Sequence, residues 1–558
     1  MALETHKHAI AIGQIVPLSV YRDEGILLPP HRARRFAFPG AEMPTTAACT
    51  ALAPVLAMLA APHAPPVPQV KPVPSPAQHA WQDMEFTGFI HFGPNTFTDR
   101  EWGHGDEPAA AFAPTALDAR QWVRVMKDAG ITGVVITAKH HDGFCNWPTA
   151  MSTHSVKSSP WKGGAGDVLR ELSDACREGG LKFGVYLSPW DRNNPAYGTG
   201  EAYNEYFRTQ LREVLTNYGP VHEVWFDGAC GEGPNGKKQV YDFPSFERTV
   251  RECQPNAVIF SDVGPDVRWV GNENGWAGET NWAMLKAKGH GRGADNPPST
   301  TSLNEGDEDG EAWIPAECDV SIRPGWFYHA HEDDKVKTPE QLFDLWERSV
   351  GHNANLHLNF PVDRRGLIHE NDTKAVLGLR KLIDAAYGPG TDLARGRTVG
   401  VTNMRGDTPR AASEPLVESP FSGANAVDGD PATFWGTDDG VRAASIEVEL
   451  DPNAAWDRVV LAEPIKFGQR IRRFRVSVPA GPGTSNNGRD WRVLAEGTTV
   501  GHKRIVRVPV TTAPRVRVEI LDARACPLVS ALEVHATAAA KAGGVAGTKA
   551  APPAPAAK

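Results

Sequence analysis

Strand–helix alternation from Trp81 to about Gly390, then short alternating strands with almost no helical signal, predicts an α/β chain of two folds. A (β/α)8-like TIM barrel comes first and an all-β sandwich follows. Three observations carry this. Six short apolar runs rich in Val, Ile, Phe and Tyr read as strands covered on both faces: Glu85–His91, Gly133–Ala138, Phe183–Ser188, Glu223–Gly228, Ala257–Asp262 and Asn355–Phe360. Helix-period segments separate them. After Gly390 the strands become Ala444–Leu450, Val459–Glu463, Ile471–Val478, Arg504–Val510 and Val516–Leu521. A doubly wound open sheet is the alternative to a closed barrel. No Gly-rich phosphate loop follows any strand, which weakens its nucleotide-binding version.

The chain has 558 residues, which at about 150 residues per domain allows three or four domains, or two large ones. At 41% apolar and 22% charged residues it can bury a sizeable core. Lys and Arg number 58 against 67 Asp and Glu, a formal charge of −9 that argues against nucleic acid as a partner. The seven cysteines are scattered without a CxxC pair, so a zinc knot is not expected, and their pairing is left open.

Residues 1–80 read as a leader with a signal peptide and a Pro-rich linker. The apolar run Ala47–Ala61 is too short to span a bilayer but suits the core of a secretory signal. Translation begins at Met43 or the leader has a long basic region holding Arg32, Arg34 and Arg35, whose Arg34-Arg35-Phe36 stretch faintly resembles a twin-arginine signal. A leader without a targeting role is the bland alternative. Pro65–Pro76 would be a stiff extended linker. Export to the periplasm or outside is expected, without membrane anchoring.

The barrel is expected over residues 81–388. Thr115 and Asp118 open a helix with Trp122 and Met126 one turn apart. Asp167 caps a second, with Val168, Leu169, Leu172, Ala175 and Cys176 on one face and Gly179-Gly180 at its end. Phe207, Leu211, Val214, Leu215 and Tyr218 stripe a third. The sandwich is expected over residues 389–536, and 537–558, almost wholly Ala, Pro, Gly and Lys, reads as a disordered tail.

Catalysis in a barrel sits where the strands end. Here those ends are polar and aromatic: His91; Lys139-His140-His141-Asp142; Tyr186 with Trp190-Asp191; Trp225-Phe226-Asp227. Imidazoles and carboxylates bond hydroxyls while rings pack on C–H faces, as a sugar requires. Asp227, held beside bulky rings, suits a nucleophile, with a turn aspartate as the alternative. Adjacent histidines on a strand point to opposite sides, which disfavours His140 and His141 as ligands of one ion. A retaining glycosidase needs a second carboxyl, and Glu273, Glu279, Glu317 and Asp319 are candidates.

The runs WQDMEFTGFIHFG (Trp81–Gly93), KHHDGFCNW (Lys139–Trp147), FGVYLS (Phe183–Ser188), EVWFDG (Glu223–Gly228) and NLHLNFPVDRRGLIHEN (Asn355–Asn371) resemble glycoside hydrolase family 29, exo-acting retaining α-L-fucosidases. The resemblance implies Asp227 as nucleophile of a covalent fucosyl-enzyme. The GNE turn after DVRW resembles the branch cleaving α-1,3 and α-1,4 linkages of branched glycans or glycoproteins, which implies Glu273 as acid/base. Glu317 is the fallback and would imply broad linkage specificity. His91, Glu101, Trp102, His140, His141, Tyr186 and Trp225 would hold the fucose, and Trp326 would face its methyl group. The substrate implied is a fucosylated oligosaccharide or N-glycan, and no cofactor is implied for catalysis.

AVDGDPATFW (Ala426–Trp435) with Ala531–Val534 resembles a discoidin-like module, implying a structural calcium at Asp428, Asp430, Thr433 and Glu533. Two other classes compete: a non-catalytic glycan-binding protein, which the presence of both carboxylates speaks against, and a metal-dependent hydrolase centred on His140 and His141.

Overall fold

The structure is a computed structural model that describes residues 66–292, 296–406, 419–481 and 490–542. The leader signal and the end of the tail lie outside the described residues.

Eight parallel strands follow one another around a closed barrel: β1 (Phe86–His91), β2 (Gly133–Lys139), β3 (Lys182–Leu187), β4 (Glu223–Trp225), β5 (Val258–Ser261), β6 (Val267–Trp269), β7 (Ala316–Ser321) and β8 (Asn355–Pro361). Pairing of β1 with β8, from Phe86↔Leu356 to His91↔Pro361, closes the ring and excludes an open sheet.

The six predicted strands are all present. β6 and β7 were not predicted. β6 follows β5 without a helix, across a loop in which Asp266 Oδ2 accepts the Ile259 N–H at 2.7 Å, so the expected alternation is missing. β7 carries Glu317 and Asp319 and is buried throughout, an acidic composition that hides a strand.

The predicted helices form where their caps stand. Asp118 accepts the N–H groups of Arg120 and Gln121 at the start of helix Ala119–Asp128. Asp167 accepts that of Arg170 ahead of helix Val168–Gly179, and Gly180 ends it in the left-handed region at φ 78°. Such caps contribute about 1 kcal/mol each. The third stripe, in helix Glu201–Thr216, buries Phe207, Leu211, Val214 and Leu215.

Inside the ring, residues two apart on a strand share the inward face. Aromatic rings fill it: Phe89 with Tyr186 and Trp225, and Trp225 stacked on Phe260 at 4.0 Å and 12°. A buried acid pair, Glu223 and Glu317, lies a layer deeper. Trp81 Nε1 donates to Glu223 at 3.1 Å and Trp225 Nε1 to Glu317 at 2.9 Å. Burial raises both carboxyls, Glu223 to about 7 and Glu317 well above its usual range, the latter also repelled by Glu223.

The C-terminal region is antiparallel. Val399–Val401, Ala444–Glu449, Arg515–Ala523, Ile471–Pro479 and Trp491–Gly497 form one sheet; Arg504–Thr512, Ala455–Ala462 and Ala531–His535 form another. They share a core around Trp435, Trp456, Phe474 and Val518.

Two boundaries differ from expectation. The Pro-rich stretch is not a free linker: the Val70 N–H donates to Phe467 O at 2.9 Å, Arg405 Nη2 to Pro66 O at 2.9 Å, and Arg470 to Pro68 O. Proline lacks an N–H but keeps its carbonyl, so a Pro-rich strap can still be held by arginines. Helix Pro76–Gln82, with Ser75 and Gln78 as a capping box, then enters the barrel ahead of the expected start at Trp81. At the other end, Asp457 accepts both Thr537 N–H (2.9 Å) and Thr537 Oγ1–H (2.6 Å), and Ala538–Lys541 is helical. The expected tail therefore begins with ordered residues. The six described cysteines are free thiols.

The two folds are joined by a buried charge. Glu347, on helix Pro339–Ser349, is 2% exposed and accepts from Arg458 Nε at 2.8 Å, while Arg507 Nη2 lies 2.7 Å away. Both arginines belong to the three-stranded sheet. Glu347→Ala should remove the carboxylate from Arg458, which then keeps Asp457 at 3.0 Å, and from Arg507, and cost about 2 kcal/mol. The check is the urea midpoint, with Glu347→Gln expected to lose less.

Candidate active site

A cavity of about 370 Å³ opens at the C-terminal ends of the strands, a volume typical of small-molecule sites. All ten residues expected to act or bind line it: His91, Glu101, Trp102, His140, His141, Tyr186, Trp225, Asp227, Glu273 and Trp326. Phe89, Ala229 and Asp319 complete the lining.

Strand periodicity aims most of the deep residues. On β4, Glu223 and Trp225 share the inward face, and Asp227 sits two residues past Trp225, just beyond the strand end. Asp227 Oδ2 accepts the Tyr186 O–H at 2.8 Å, and Oδ1 accepts the Ala229 N–H at 2.7 Å. Both oxygens are thereby oriented, and the side chain keeps 24% exposure toward the cavity. Tyr186 remains a phenol, because burial and the Asp227 charge push its pKa well upward.

His140 and His141 both face the cavity, their rings 4.1 Å apart, against the expectation that they diverge. The reason is local: β2 ends at Lys139, so strand alternation no longer applies. Ser188 Oγ donates to Trp190 O, so it accepts from His141 Nδ1 at 2.8 Å. That leaves Nε2, 3.7 Å from Asp227 Oδ2, with a lone pair in the neutral ring. Likewise Asn359 Nδ2 donates to Ser321 Oγ and Trp326 O, so its Oδ1 accepts from His91 Nδ1, and His91 Nε2 is an acceptor. Burial lowers all three histidines, His91 to about 4, and keeps them neutral near pH 7.

Glu273 stands at the mouth, exposed, in a turn bracketed by Gly271 (φ 83°) and Gly275 (φ 79°). A Cβ on Gly275 would come within 2.6 Å of Val320 Cγ1, so the turn depends on that glycine. The Glu273 carboxyl is pushed up. Lost solvation is the largest cause; the Trp326 indole opposes it, while the charges of Asp227 and Glu101 add to it. A carboxyl whose pKa is raised faces the same cavity as the oriented Asp227. That combination can donate a proton to a departing oxygen while a nucleophile attacks.

The walls are fixed by their own bonds. Glu101 accepts the N–H groups of Trp326 (2.8 Å) and Phe327 (3.1 Å), tying the loop after β7 to the loop after β1. Trp102 is 55% exposed at the rim, edge-on to His141 and Trp190, and offers a face to a ligand. Lys139 is buried and spent on Asp191 (3.0 Å) and Gln210 (3.0 Å), supporting the loop from beneath.

Of the other candidate acids, Glu317 is fully buried beneath Trp225 and does not line the cavity, which removes it as the fallback proton donor. The Glu279 side chain is 81% exposed, and its carbonyl accepts from Arg504 of the β domain. Asp319 does reach the cavity but bonds Trp269 Nε1 at 2.9 Å; burial, then the charge of Glu273, push it well up. Phe89 was missed, although it lies two residues before His91 on the same face of β1, a signal the sequence carries.

The four expected calcium ligands do not converge. Asp428, Asp430 and Thr433 share one turn, where Asp428 Oδ1 accepts Asp430 N–H and Oδ2 accepts Thr433 Oγ1–H. Glu533 instead pairs with His535 Nε2 at 2.9 Å. Asp428, Asp430 and Glu533 do not bring one carboxylate oxygen each within 4.8 Å of the others, so as arranged the donor set does not fit a calcium ion. Nor do the cavity residues bring three donor atoms within 4.8 Å of one another, among the described residues.

Comparison with known proteins agrees with this geometry. The family model described as Alpha-L-fucosidase matches residues 77–384. Alpha-L-fucosidase 1 of Arabidopsis thaliana is 40% identical over 468 residues, 84% of this chain and 88% of its own. A relative in Oryza sativa subsp. japonica is 43% identical over 471 residues, 84% of this chain and 86% of its own. The structure of a Ruminococcus gnavus family 29 fucosidase in complex with fucose superposes with a TM-score of 0.75 at 32% identity, covering 86% of this chain and 97% of that one.

Because burial favours the neutral form of Asp319, Asp319→Asn, which keeps a donor and an acceptor, should leave turnover within about threefold, whereas Asp319→Leu should lose at least about tenfold by unpairing Trp269. Steady-state kinetics of the two variants, with melting temperatures, check this.

Proposed function

The chain belongs to the alpha-L-fucosidase family, glycoside hydrolase family 29, and is an α-L-fucosidase; on that footing we propose a retaining exo-enzyme for α-1,3- and α-1,4-linked fucose on branched glycans or glycoproteins. The observation that carries the reading is one cavity holding an oriented carboxylate, Asp227, and a carboxyl of raised pKa, Glu273.

In the first step Asp227 Oδ attacks the anomeric carbon of fucose, and the glycosidic C–O bond breaks. Glu273 gives its proton to the departing oxygen. The sugar is then an ester of Asp227, and Glu273 is a carboxylate. In the second step Glu273 takes a proton from water, whose oxygen attacks the same carbon and releases Asp227. Tyr186 and the Ala229 N–H hold Asp227 and take up its charge when it leaves. The neutral His91 and His141 offer lone pairs to sugar hydroxyls, with His140 and Glu101 beside them, and Trp326 supplies an apolar wall for the methyl group. Trp102, at the rim, would pack on the sugar being left behind. An exported enzyme fits this reading.

Asp227→Ala should lower turnover by at least about 10³-fold with an unchanged melting temperature; near-native activity overturns the assignment. Glu273 must be protonated to act, so activity should be present below its raised pKa and fall as pH rises through it. Glu273→Ala should erase that basic limb. It should slow glycan hydrolysis by about 10²–10⁴-fold while sparing aryl fucosides whose leaving group needs no proton. Linkage preference is tested by product analysis on a Lewis-type trisaccharide beside an α-1,2-fucosylated one, with release from the first expected to dominate.

A further inference from the structure

Beside the cavity, on its outer rim, two histidines and an aspartate converge where the mechanism uses none of them. Asp99 follows the short helix Pro94–Thr98 in the loop after β1, and sits in the left-handed region at φ 60°. His329 and His331 lie in the loop after β7, about the turn Ala330–Glu332. One donor atom from each lies within 4.8 Å of the other two, and among the described residues no other trio of His, Cys, Asp or Glu does this. His329 Nδ1 is 2.8 Å from Asp99 Oδ1, and the His329 and His331 rings are 5.3 Å apart.

A second observation concerns the back of the ring. His329 Nε2 is 2.7 Å from Glu101 Oε1. With Asp99 at Nδ1 as well, both ring nitrogens donate to carboxylates; once Nδ1 gives up its proton, Glu101 on the Nε2–H holds the ring as second partners orient metal-binding histidines. Asp99 and His331 are exposed, so small side-chain rotations can draw the donors onto an ion at about 2.0–2.1 Å. Arg364 Nη2, 3.8 Å from Asp99 Oδ1 and half exposed, is beyond hydrogen-bond length and does not block it.

We propose that Asp99, His329 and His331 form a site for a divalent transition cation of the zinc type, with Glu101 orienting His329 from behind. Two imidazoles and one carboxylate favour such an ion over calcium or magnesium, which take oxygen ligands. On binding, His329 releases any Nδ1 proton to solvent and its lone pair takes the metal, while water completes the coordination. The ion ties the loop after β1 to the loop after β7, the two segments that Glu101 already joins through the Trp326 N–H. It therefore braces one wall of the cavity without entering it.

The test is calorimetric titration of ZnCl2 into untagged, chelator-treated enzyme. One site per chain is expected, with no comparable heat from CaCl2 or MgCl2, and a raised melting temperature in saturating Zn²⁺. His331→Ala removes an exposed ligand and should weaken Zn²⁺ at least about tenfold while metal-free fucoside hydrolysis and melting stay unchanged. Asp99→Asn should weaken it similarly. Absence of a one-to-one site overturns the proposal. So does unchanged affinity in His331→Ala, which would place the ion elsewhere, for example at the cavity histidines.

Discussion

The hydrogen bonds to Asp227 set the terms for the rest of the cavity. Under the proposed mechanism, a carboxylate that attacks carbon has to stay oriented in a hole lined by indoles, phenols and imidazoles, and such a hole solvates charge poorly. Tyr186 and the Ala229 N–H supply what water would otherwise supply, one donor to each oxygen. Tyr186 can do this because it lies near the end of β3, beside β4, whose end carries Asp227. Pairing of β3 with β4 thus serves the proposed chemistry as well as the fold.

Proton placement follows from the same environment. Four carboxyls of the barrel interior or mouth, Glu223, Glu317, Asp319 and Glu273, are all pushed upward, with lost solvation the first cause in each. Only one has the position to use its proton. Glu223 and Glu317 are sealed beneath Trp225, and Asp319 is bound to Trp269. Glu273 alone stands at the mouth on a glycine-bracketed turn, where a leaving group and water can reach it. Electrostatics makes several candidate acids, and access selects among them.

The β domain is more than an appendage. Glu347 in the barrel is buried against Arg458 and Arg507 of the three-stranded sheet, and the Pro66–Ser75 strap runs along the same domain before entering the barrel through helix Pro76–Gln82. The strap's carbonyls are held by Arg405 and Arg470, so the Pro-rich segment fastens to the β domain where a stiff extended linker was expected. The loop of Glu273 is backed by Val320 of β7, whose inward neighbours are Asp319 and Ser321.

Sequence alone determined the alternation of strands and helices, their caps, and the strand-end residues His91, His140, His141, Tyr186, Trp225 and Asp227; Glu101, Trp102, Glu273 and Trp326 came from the family resemblance. The former rest on local rules: a period of two for strands, 3.6 for helices, a side-chain oxygen before a helix, and a polar residue where an apolar run stops. Where the chain departs from those rules, sequence fell short. β6 lacks its helix, β7 carries acids in a buried strand, and His140 and His141 turn the same way because the strand ends before them. From the residues themselves, Glu273, Glu279, Glu317 and Asp319 were equal candidates, all carboxylic acids; tertiary structure separated them, because solvent access and partner bonds belong to the closed barrel and to no segment of the chain.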